Sequence, residues 1–212
     1  MKPRITIKNT FCHFKKICIH KYWVFYYCCK AGIPWRGIKH DMSKFSPTEF
    51  WESVRYYQGN RSPIDACKED KGVSKAWLHH KGRNTHHYEY WQDNFDKGGQ
   101  PIQMPYEDAV EMLCDYLGAG RAYMGKNFTY NKELIWFDKK CEKPLAMHPQ
   151  TKAFIRQCIW SLTTSDIPSK ECSRAFKSLM AQERTFLLKP RSLKRKYRDA
   201  EEVIISERPN EA

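Results

Sequence analysis

The feature that most constrains the fold of this chain is a series of helix-length stretches that contain neither glycine nor proline. One such stretch covers residues 10–31, and Gly32 and Pro34 follow it as a stop signal. A new helix start follows in Ser46-Pro47-Thr48-Glu49, which combines an N-cap serine, a proline at the first helical position and a capping-box glutamate. No stretch shows the strict alternation of apolar and polar residues that marks a half-buried strand. The sequence therefore predicts an all-α fold, a helical bundle.

Glycine and proline also divide the rest of the chain into elements. We expect a brief helix over residues 38–44, a helix from Pro47 to about Tyr57, and a polar surface loop from Gly59 to Gly72. The later helices are expected at residues 73–80, resuming after a break at 82–84 through about residue 95, then at 105–124, 132–141, 149–162 and 168–188.

The length of 212 residues favours one domain with an appendage over two equal halves. We expect a metal-binding helical domain over residues 1–130 and a C-terminal helical extension packed on it over residues 131–188. A charged tail follows over residues 189–212, and it begins with the basic run from Lys189 to Arg198. Such a run is either a solvated tail or a contact for a polyanion such as nucleic acid.

Charge and cysteine content restrict the partners and the compartment. The formal net charge of +13 would attract phosphate-bearing partners. The nine cysteines include no C-x-x-C pair, and we find no cleavable signal sequence, so we expect free thiols and a cytoplasmic protein. The apolar segment 22–29 is too short to span a bilayer, so we expect no transmembrane segment.

The distribution of histidine indicates where chemistry is concentrated. Seven of the eight histidines lie within the first 87 residues, namely His13, His20, His40, His79, His80, His86 and His87. His40 is followed directly by Asp41, and this pair offers one imidazole nitrogen and one carboxylate oxygen. Such a mixed set suits divalent transition metals such as Mn, Fe, Co, Ni or Zn.

Two further segments can complete a metal site. The segment from residue 79 to residue 87 holds four histidines, and His80 and His87 are seven positions apart, as are His79 and His86. On the predicted helix 105–124, Glu111 and Asp115 share a face with Asp108, and Glu107 lies just before them. The alternative interpretations are histidines satisfied within a core and a solvated acidic face. Because the residues between these acids are largely apolar, we prefer Asp115 as a late metal ligand.

These residues resemble a known family. The order of His20, then His40-Asp41, then further histidines and a late aspartate is similar to the HD superfamily of metal-dependent phosphohydrolases, which are all-helical. His40-Asp41-Met42-Ser43-Lys44 is similar to the His-Asp-x-Gly-Lys form of the branch that hydrolyses cyclic dinucleotides, with Ser43 in place of glycine. The resemblance covers roughly residues 10–125. The patterns around Lys44 and His86 are also similar to an uncharacterised family found in bacteria and their phages.

The resemblance implies a site and a reaction. His20, His40, Asp41 and Asp115 would bind one divalent metal, and Asp41 would bridge to a second metal held by His80 and His87, with His86 a further candidate ligand. Lys44 would lie near the substrate phosphate and act in catalysis with Asp41. Apart from the resemblance, Arg83 or Arg121 could bind a second phosphate, because a guanidinium offers bidentate contact; the alternative for each is a solvent-facing charge. The expected substrate is a phosphate ester, with a nucleotide preferred.

Two other functions are compatible with the same residues. Some members of the HD superfamily bind two irons through a similar ligand set and use dioxygen, so a diiron oxygenase is one alternative. The other is a basic nucleic-acid-binding protein of a phage or mobile element, without catalysis. In that protein, the histidines would hold the structure and the tail would contact nucleic acid.

Overall fold

The computed structural model describes residues 3–93 and 95–164, and these residues are mostly helical. The eight helices are α1 (Ile7–Ala31), α2 (Pro34–Lys39), α3 (Pro47–Arg55), α4 (Pro63–Lys71), α5 (Lys75–Lys81), α6 (Tyr106–Met124), α7 (Tyr130–Cys141) and α8 (Pro149–Thr164). Short 3₁₀ turns cover Met42–Phe45, Tyr88–Tyr90, Phe95–Lys97 and Gly125–Asn127. Two two-residue strands, β1 (Gln92–Asp93) and β2 (Gln100–Pro101), form one antiparallel pair. The all-α prediction is confirmed.

Helix α6 is the centre of the fold, and α1, α7 and α8 all contact it. Its residues from Asp108 to Gly118 are all buried. Side chains from α1, α7 and α8, including Val24, Phe137 and Ile159, join Leu113 of α6 in one apolar cluster. The core therefore surrounds the helix that carries the candidate ligand Asp115.

Close packing of α1 on α6 depends on Gly118. A Cβ atom at this position would lie 2.5 Å from Val24 Cγ2 and 3.0 Å from the Val24 backbone nitrogen. The absence of a side chain thus lets α1 approach α6 more closely than any other residue would allow. The same approach brings His20 of α1 opposite Asp115, which lies three residues before Gly118.

Several predicted helices agree with the structure. Helix α1 begins after Thr6, whose side chain accepts a hydrogen bond from the Asn9 backbone, and it ends at Gly32 in the left-handed conformation. Helices α6, α7 and α8 match the predicted spans to within about two residues. The predicted helix 168–188 and the basic tail 189–212 lie outside the described residues.

Three predicted elements are wrong. Residues 63–71 form α4 rather than a loop, because Pro63 starts a helix that buries Ala66 and Cys67. The helix expected to resume toward residue 95 is absent from the described residues, which form turns, a 3₁₀ turn and β1 there. Asn84 ends α5 by donating to the His80 carbonyl oxygen at 2.7 Å, and the Trp91 indole donates to the Thr85 carbonyl oxygen at 2.7 Å.

The third correction concerns the His-Asp pair. Residues 38–44 do not form one brief helix, since α2 ends at Lys39 and the chain reverses at Asp41 before the 3₁₀ turn Met42–Phe45.

Among all the described residues, no helix combines the length and apolar character needed to cross a membrane. The cysteines of the described residues form no disulfide bonds.

Candidate metal centre

The His40-Asp41 pair occupies a reversal of the backbone between α2 and the following 3₁₀ turn. The His40 nitrogen donates to the Arg36 carbonyl oxygen as the last bond of α2. Asp41 then adopts φ 55° and ψ 25°, and no other non-glycine residue of the described chain has a positive φ. This left-handed conformation is costly for most residues and more tolerable for aspartate. Both side chains are turned into the interior, with His40 2% and Asp41 1% exposed.

The first group of candidate ligands, here called cluster one, contains His20, His40, Asp41 and Asp115. His20 Nε2 lies 3.3 Å from Asp41 Oδ2 and 3.1 Å from Asp115 Oδ1. His40 Nε2 lies 3.1 Å from Asp41 Oδ2 and 3.4 Å from Asp115 Oδ1. Two imidazole nitrogens and two carboxylate oxygens thus converge from α1, α6 and the reversal after α2.

Cluster two contains Asp41 again, together with His80, His86 and His87. Asp41 Oδ1 lies 3.2 Å from His80 Nε2 and 3.4 Å from His86 Nε2. The His87 ring centroid is 4.8 Å from that of His80 and 4.3 Å from that of His86. The two oxygens of Asp41 therefore face different clusters, Oδ2 toward cluster one and Oδ1 toward cluster two.

Unpartnered polar atoms show that these clusters fit a cation. Six buried side-chain atoms have no hydrogen-bond partner among the described residues, and four of them belong to the clusters: His40 Nε2, Asp41 Oδ1, His86 Nε2 and His87 Nε2. Leaving a buried polar group unsatisfied costs roughly 1–3 kcal/mol. A metal ion in cluster one would accept a lone pair of His40 Nε2, and one in cluster two would accept lone pairs of the other three atoms. Nitrogen with carboxylate oxygen is a ligand set suited to divalent transition metals. Each cluster can therefore hold a metal ion.

Two glutamates orient the histidines from behind. Glu49 Oε2 lies 2.7 Å from His80 Nδ1. Glu111 Oε1 lies 3.0 Å from His40 Nδ1 and 3.2 Å from His86 Nδ1. When Nδ1 donates its proton to a carboxylate, the Nε2 lone pair is free to bind a metal, which is the usual arrangement around metal-bound histidine.

The roles of these glutamates are only partly visible in the sequence. Glu111 shares a helix face with Asp115, so helical spacing is enough to nominate it. Glu49 fits a capping box, and Ser46 Oγ does accept from the Glu49 nitrogen at 3.4 Å. The Glu49 carboxylate, however, contacts His79 and His80 instead of returning to the helix start. The capping-box pattern therefore explains the helix start, but it does not predict the contact of Glu49 with the two histidines.

The electrostatics of the centre favour ionised carboxylates and a neutral His87. Burial would lower the pKa of His40 and of His80, but nearby carboxylates raise both above 6.5, so a metal that binds there must displace a proton. Burial alone would raise the pKa of Asp41, but His40, Lys44 and His80 outweigh burial and hold that pKa well below its usual range. The pKa of Asp115 is lowered in the same way, against burial, by His20 and His40. Burial and the neighbouring His86 lower the pKa of His87 well below 6.5, which leaves a neutral imidazole, the form that binds metals.

Lys44 stands at the edge of both clusters. Its Nζ lies 2.5 Å from Asp41 Oδ2, and its side chain is 27% exposed. Burial by itself would lower the pKa of Lys44, but the carboxylates of Asp41 and Asp115 raise it, so the ammonium stays charged. A cation is thus fixed beside the candidate ligands and in contact with solvent.

A cavity of about 220 Å³ opens onto the centre. The candidate ligands His20, His80, His87 and Asp115 line one part of it, and Lys44 lines it beside them. A molecule that enters the cavity therefore reaches both clusters.

The structure does not bring every predicted site residue to this place. Arg121 packs between the rings of Trp23 and Phe128 and donates from Nε to Tyr27 Oη at 3.1 Å. Arg83 is exposed, and its closest partner is the His79 carbonyl oxygen. Neither arginine lines the cavity, so the expectation that they grip a phosphate there finds no support in their placement.

Three residues near the centre belong to neither cluster, namely His79, Glu107 and Asp108. His79 pairs with Glu49 at 2.6 Å, whereas His86, seven positions later, belongs to cluster two. Glu107 and Asp108 also stand outside the clusters, because both bind the Arg36 guanidinium. The irregular chain after α5 is the reason that adjacent His86 and His87 both reach cluster two.

Comparison with known families assigns the chain to one of them. The model of a family of unknown function, DUF5662, matches residues 9–161. The chain belongs to DUF5662. The matched residues run from α1 into α8 and include both clusters and Lys44. No curated protein and no solved structure matches the chain significantly. The expected similarity to an uncharacterised family is in agreement with this finding, whereas the HD superfamily stands as a resemblance.

Proposed function

We propose that this member of DUF5662 is a metal-dependent phosphohydrolase with a centre for two divalent metal ions. The observation that carries the proposal is Asp41, whose two oxygens face separate histidine clusters while the Lys44 ammonium lies beside it. A carboxylate shared in this way is suited to bridge two ions. A fixed cation next to them favours an anionic substrate such as a phosphate ester.

Each of the two clusters would hold one metal ion. Cluster one would hold one ion through His20, His40, Asp41 and Asp115, and cluster two would hold the other through Asp41 and the three later histidines. Bound divalent ions supply Lewis-acid polarisation of the phosphoryl oxygens and lower the pKa of a nearby water. Glu49 and Glu111 hold the imidazole rings in the orientation that this binding requires.

The bond changes of hydrolysis also require charge stabilisation by the protein's own side chains. Hydrolysis forms a bond from the water oxygen to phosphorus, breaks the ester P–O bond, and leaves a proton on the departing alcohol. Lys44 lines the cavity and is positioned to neutralise negative charge as it develops on the phosphate or on the departing oxygen.

The decisive experiment combines metal analysis with phosphate release. We expect the purified protein to contain a divalent transition metal and to release phosphate from esters in the presence of Mn, Co, Ni or Zn. The variant Asp41→Asn should lose metal and activity, by more than the roughly 10- to 100-fold expected for an outer partner of a ligand. Asparagine tolerates the left-handed conformation, so the fold should persist.

A matched control is Asp138→Asn. Asp138 pairs with Arg156 at 2.8 Å on the surface and takes part in neither cluster. This variant should keep its metal content and activity. Full phosphate release by Asp41→Asn would contradict the site assignment.

Metal identity separates the proposal from the oxygenase alternative. A protein that holds iron and turns over only with dioxygen would overturn the hydrolase proposal. Nucleic-acid binding by the basic run Lys189 to Arg198 stays a prediction, because that run lies outside the described residues. It should weaken steeply as the salt concentration rises.

A further inference from the structure

The cavity beside the metal centre has a chemical character of its own. Helices α1, α3, α4, α5 and α6 all contribute to its wall. Four candidate metal ligands line one part, so the reacting group of a substrate would lie there. The rest of the cavity must then receive the part of the substrate that does not react.

Two lysines place positive charge on this wall. Lys44 lies next to the clusters, and Lys16 lies on α1, one turn before His20. Lys16 Nζ donates to the Ala122 carbonyl oxygen at 2.9 Å and lies 4.9 Å from the Tyr123 ring centroid. Both cations face the same space, which favours an anionic group near the ligands.

The surface of the cavity is mainly apolar. Its apolar lining comes from α1, α4, α5 and α6 and contains Ile17, Pro63, Ile64, Trp77, Ala119 and Ala122. Polar residues also line it beyond the clusters, namely His13, Ser53, Tyr57, Ser62 and Tyr123. A substrate with a largely apolar body would remove this surface from water, which is favourable roughly in proportion to the area buried. A strongly polar body would lose hydration here with few partners in return.

The size of the cavity favours a small body. Its volume is about 220 Å³, below the roughly 300–1,000 Å³ typical of sites for drug-sized ligands. A cyclic dinucleotide or an oligonucleotide would therefore have to extend out of it. A single ring or a short chain attached to a phosphate is of suitable size.

From this juxtaposition, we infer that the substrate is a phosphate monoester with a compact, largely apolar body, held with its phosphate toward Asp41 and Lys44 and its body against Ile64 and Trp77. The inference rests on the proposed phosphohydrolase function. It differs from the nucleotide expected from the sequence, because the cavity is small and its surface is mainly apolar.

Ile64 provides a test that leaves the metal ligands untouched. It lies on α4, is half-buried and lines the cavity, yet belongs to neither cluster. The variant Ile64→Trp should fill the far part of the cavity. Isothermal titration calorimetry of the metal-loaded protein with phenylphosphonate, which has no ester bond to cleave, should then show affinity reduced by about tenfold or more. Affinity for inorganic phosphate should change little.

The control is Ile135→Trp, the same substitution at a residue of α7 that is 59% exposed and does not line the cavity. It should bind phenylphosphonate as the wild type does. Because Ile64→Trp can fail to fold, circular dichroism is measured for both, and Ile64→Ala is tested alongside. The smaller side chain should enlarge the cavity and shift hydrolysis from phenyl phosphate toward 1-naphthyl phosphate.

A substrate panel completes the experiment. Phenyl phosphate should be hydrolysed with a higher kcat/KM than a nucleoside 5′-monophosphate or a cyclic dinucleotide. Preference for either nucleotide, or equal losses in Ile64→Trp and Ile135→Trp, would overturn the inference and leave the phosphohydrolase proposal standing. Absence of phosphate release from every ester by the metal-loaded protein would overturn the proposed function, and the inference with it.

Discussion

At the scale of single residues, Glu111 illustrates how one carboxylate organises two histidines. Its Oε1 lies within hydrogen-bond distance of His40 Nδ1 and His86 Nδ1, and its Oε2 accepts from Arg36 Nη1 at 3.0 Å. Burial would raise the pKa of Glu111, but the two imidazoles lower it to about 2. Glu111 is therefore a fixed anion that holds one ring of each cluster.

We expect Glu111→Gln to weaken metal binding by about 10- to 100-fold, the usual cost of losing an outer partner of a metal ligand. The amide has a similar shape but lacks the negative charge, and only one of its two terminal atoms accepts hydrogen bonds. Metal affinity is measured by competition with a chelator of known affinity.

Glu107→Gln is the matched control for this change. Glu107 also binds Arg36, at 3.1 Å, but its side chain is 63% exposed and contacts no histidine. Metal affinity should stay close to that of the wild type. Equal losses in the two variants would show that Arg36, and not the histidine contacts, accounts for the effect.

At the scale of elements, the pairing of α1 with α6 decides whether cluster one is assembled. His20 is on α1 and Asp115 is on α6, and their 3.1 Å separation exists because Gly118 lets the helices meet. A side chain at Gly118 would overlap Val24, so the helices would have to move apart or α1 would have to shift.

We expect Gly118→Ala to lower the free energy of unfolding by about 1–3 kcal/mol, a typical cost of overpacking a core. The same variant should also weaken metal binding, because displacement of α1 separates His20 from Asp115. Urea denaturation measures the first effect, and chelator competition measures the second.

A second substitution checks the cause. In the Gly118→Ala background, Val24→Ala removes the methyl groups that the new Cβ would meet. Part of the lost stability and metal affinity should return, even though Val24→Ala alone creates a cavity and destabilises the core. Purely additive losses would rule out a clash with the Val24 methyl group as the cause.

Elements also differ in how well the sequence predicts them. Helices α1, α6, α7 and α8 carry enough apolar residues between clear stop signals to be placed without a structure. Helix α4 buries only Ala66 and Cys67, which is too few to show a helical period. The chain after α5 is shaped by contacts of Asn84 and Trp91 with the backbone, which no periodicity reveals.

At the scale of the molecule, α7 and α8 share one core with α1 and α6. Glu133 of α7 is buried beside this core, with 3% of its surface exposed, and it lies close to Gly120 of α6 and to Phe128. Burial, assisted by the negative charge of Asp115, raises its pKa from 4.5 to about 8. The folded protein therefore keeps Glu133 protonated at neutral pH, whereas the unfolded chain ionises it.

This difference gives a pH dependence with a definite sign. The contribution of Glu133 to stability is full below pH 4.5 and is lost progressively as the pH rises toward about 8. Relative to the wild type, Glu133→Gln should therefore become more stable as the pH rises across this window. Urea denaturation at several pH values measures the difference in the free energy of unfolding.

Glu142→Gln on the same segment is the control, since Glu142 is exposed. It should show no trend of this kind between pH 4.5 and 8.

Because α7 and α8 share one core with α1 and α6, all spectroscopic probes should report a single unfolding transition for Glu133→Gln. A separate transition for α7 and α8 would contradict the shared core.

The sequence by itself determined the helical class, most of the long helices and the residue types able to bind a metal. Those properties are local, since they follow from the spacing of apolar residues, from glycine and proline, and from the chemistry of imidazole and carboxylate. Tertiary structure alone decided which histidines converge. His86 and His87 are neighbours in sequence and would diverge on a regular helix, but the irregular backbone after α5 turns both toward Asp41.

The same limit applies to Asp41, Glu49 and Arg121. The left-handed backbone of Asp41 directs its two oxygens to separate clusters, and Glu49 reaches His80 across the packing of α3 on α5. Arg121 lies outside the centre, because it donates a hydrogen bond to Tyr27 and packs against two aromatic rings. Each outcome depends on contacts between residues far apart in the chain, and such contacts are set by packing geometry, which a pattern of residue types does not contain.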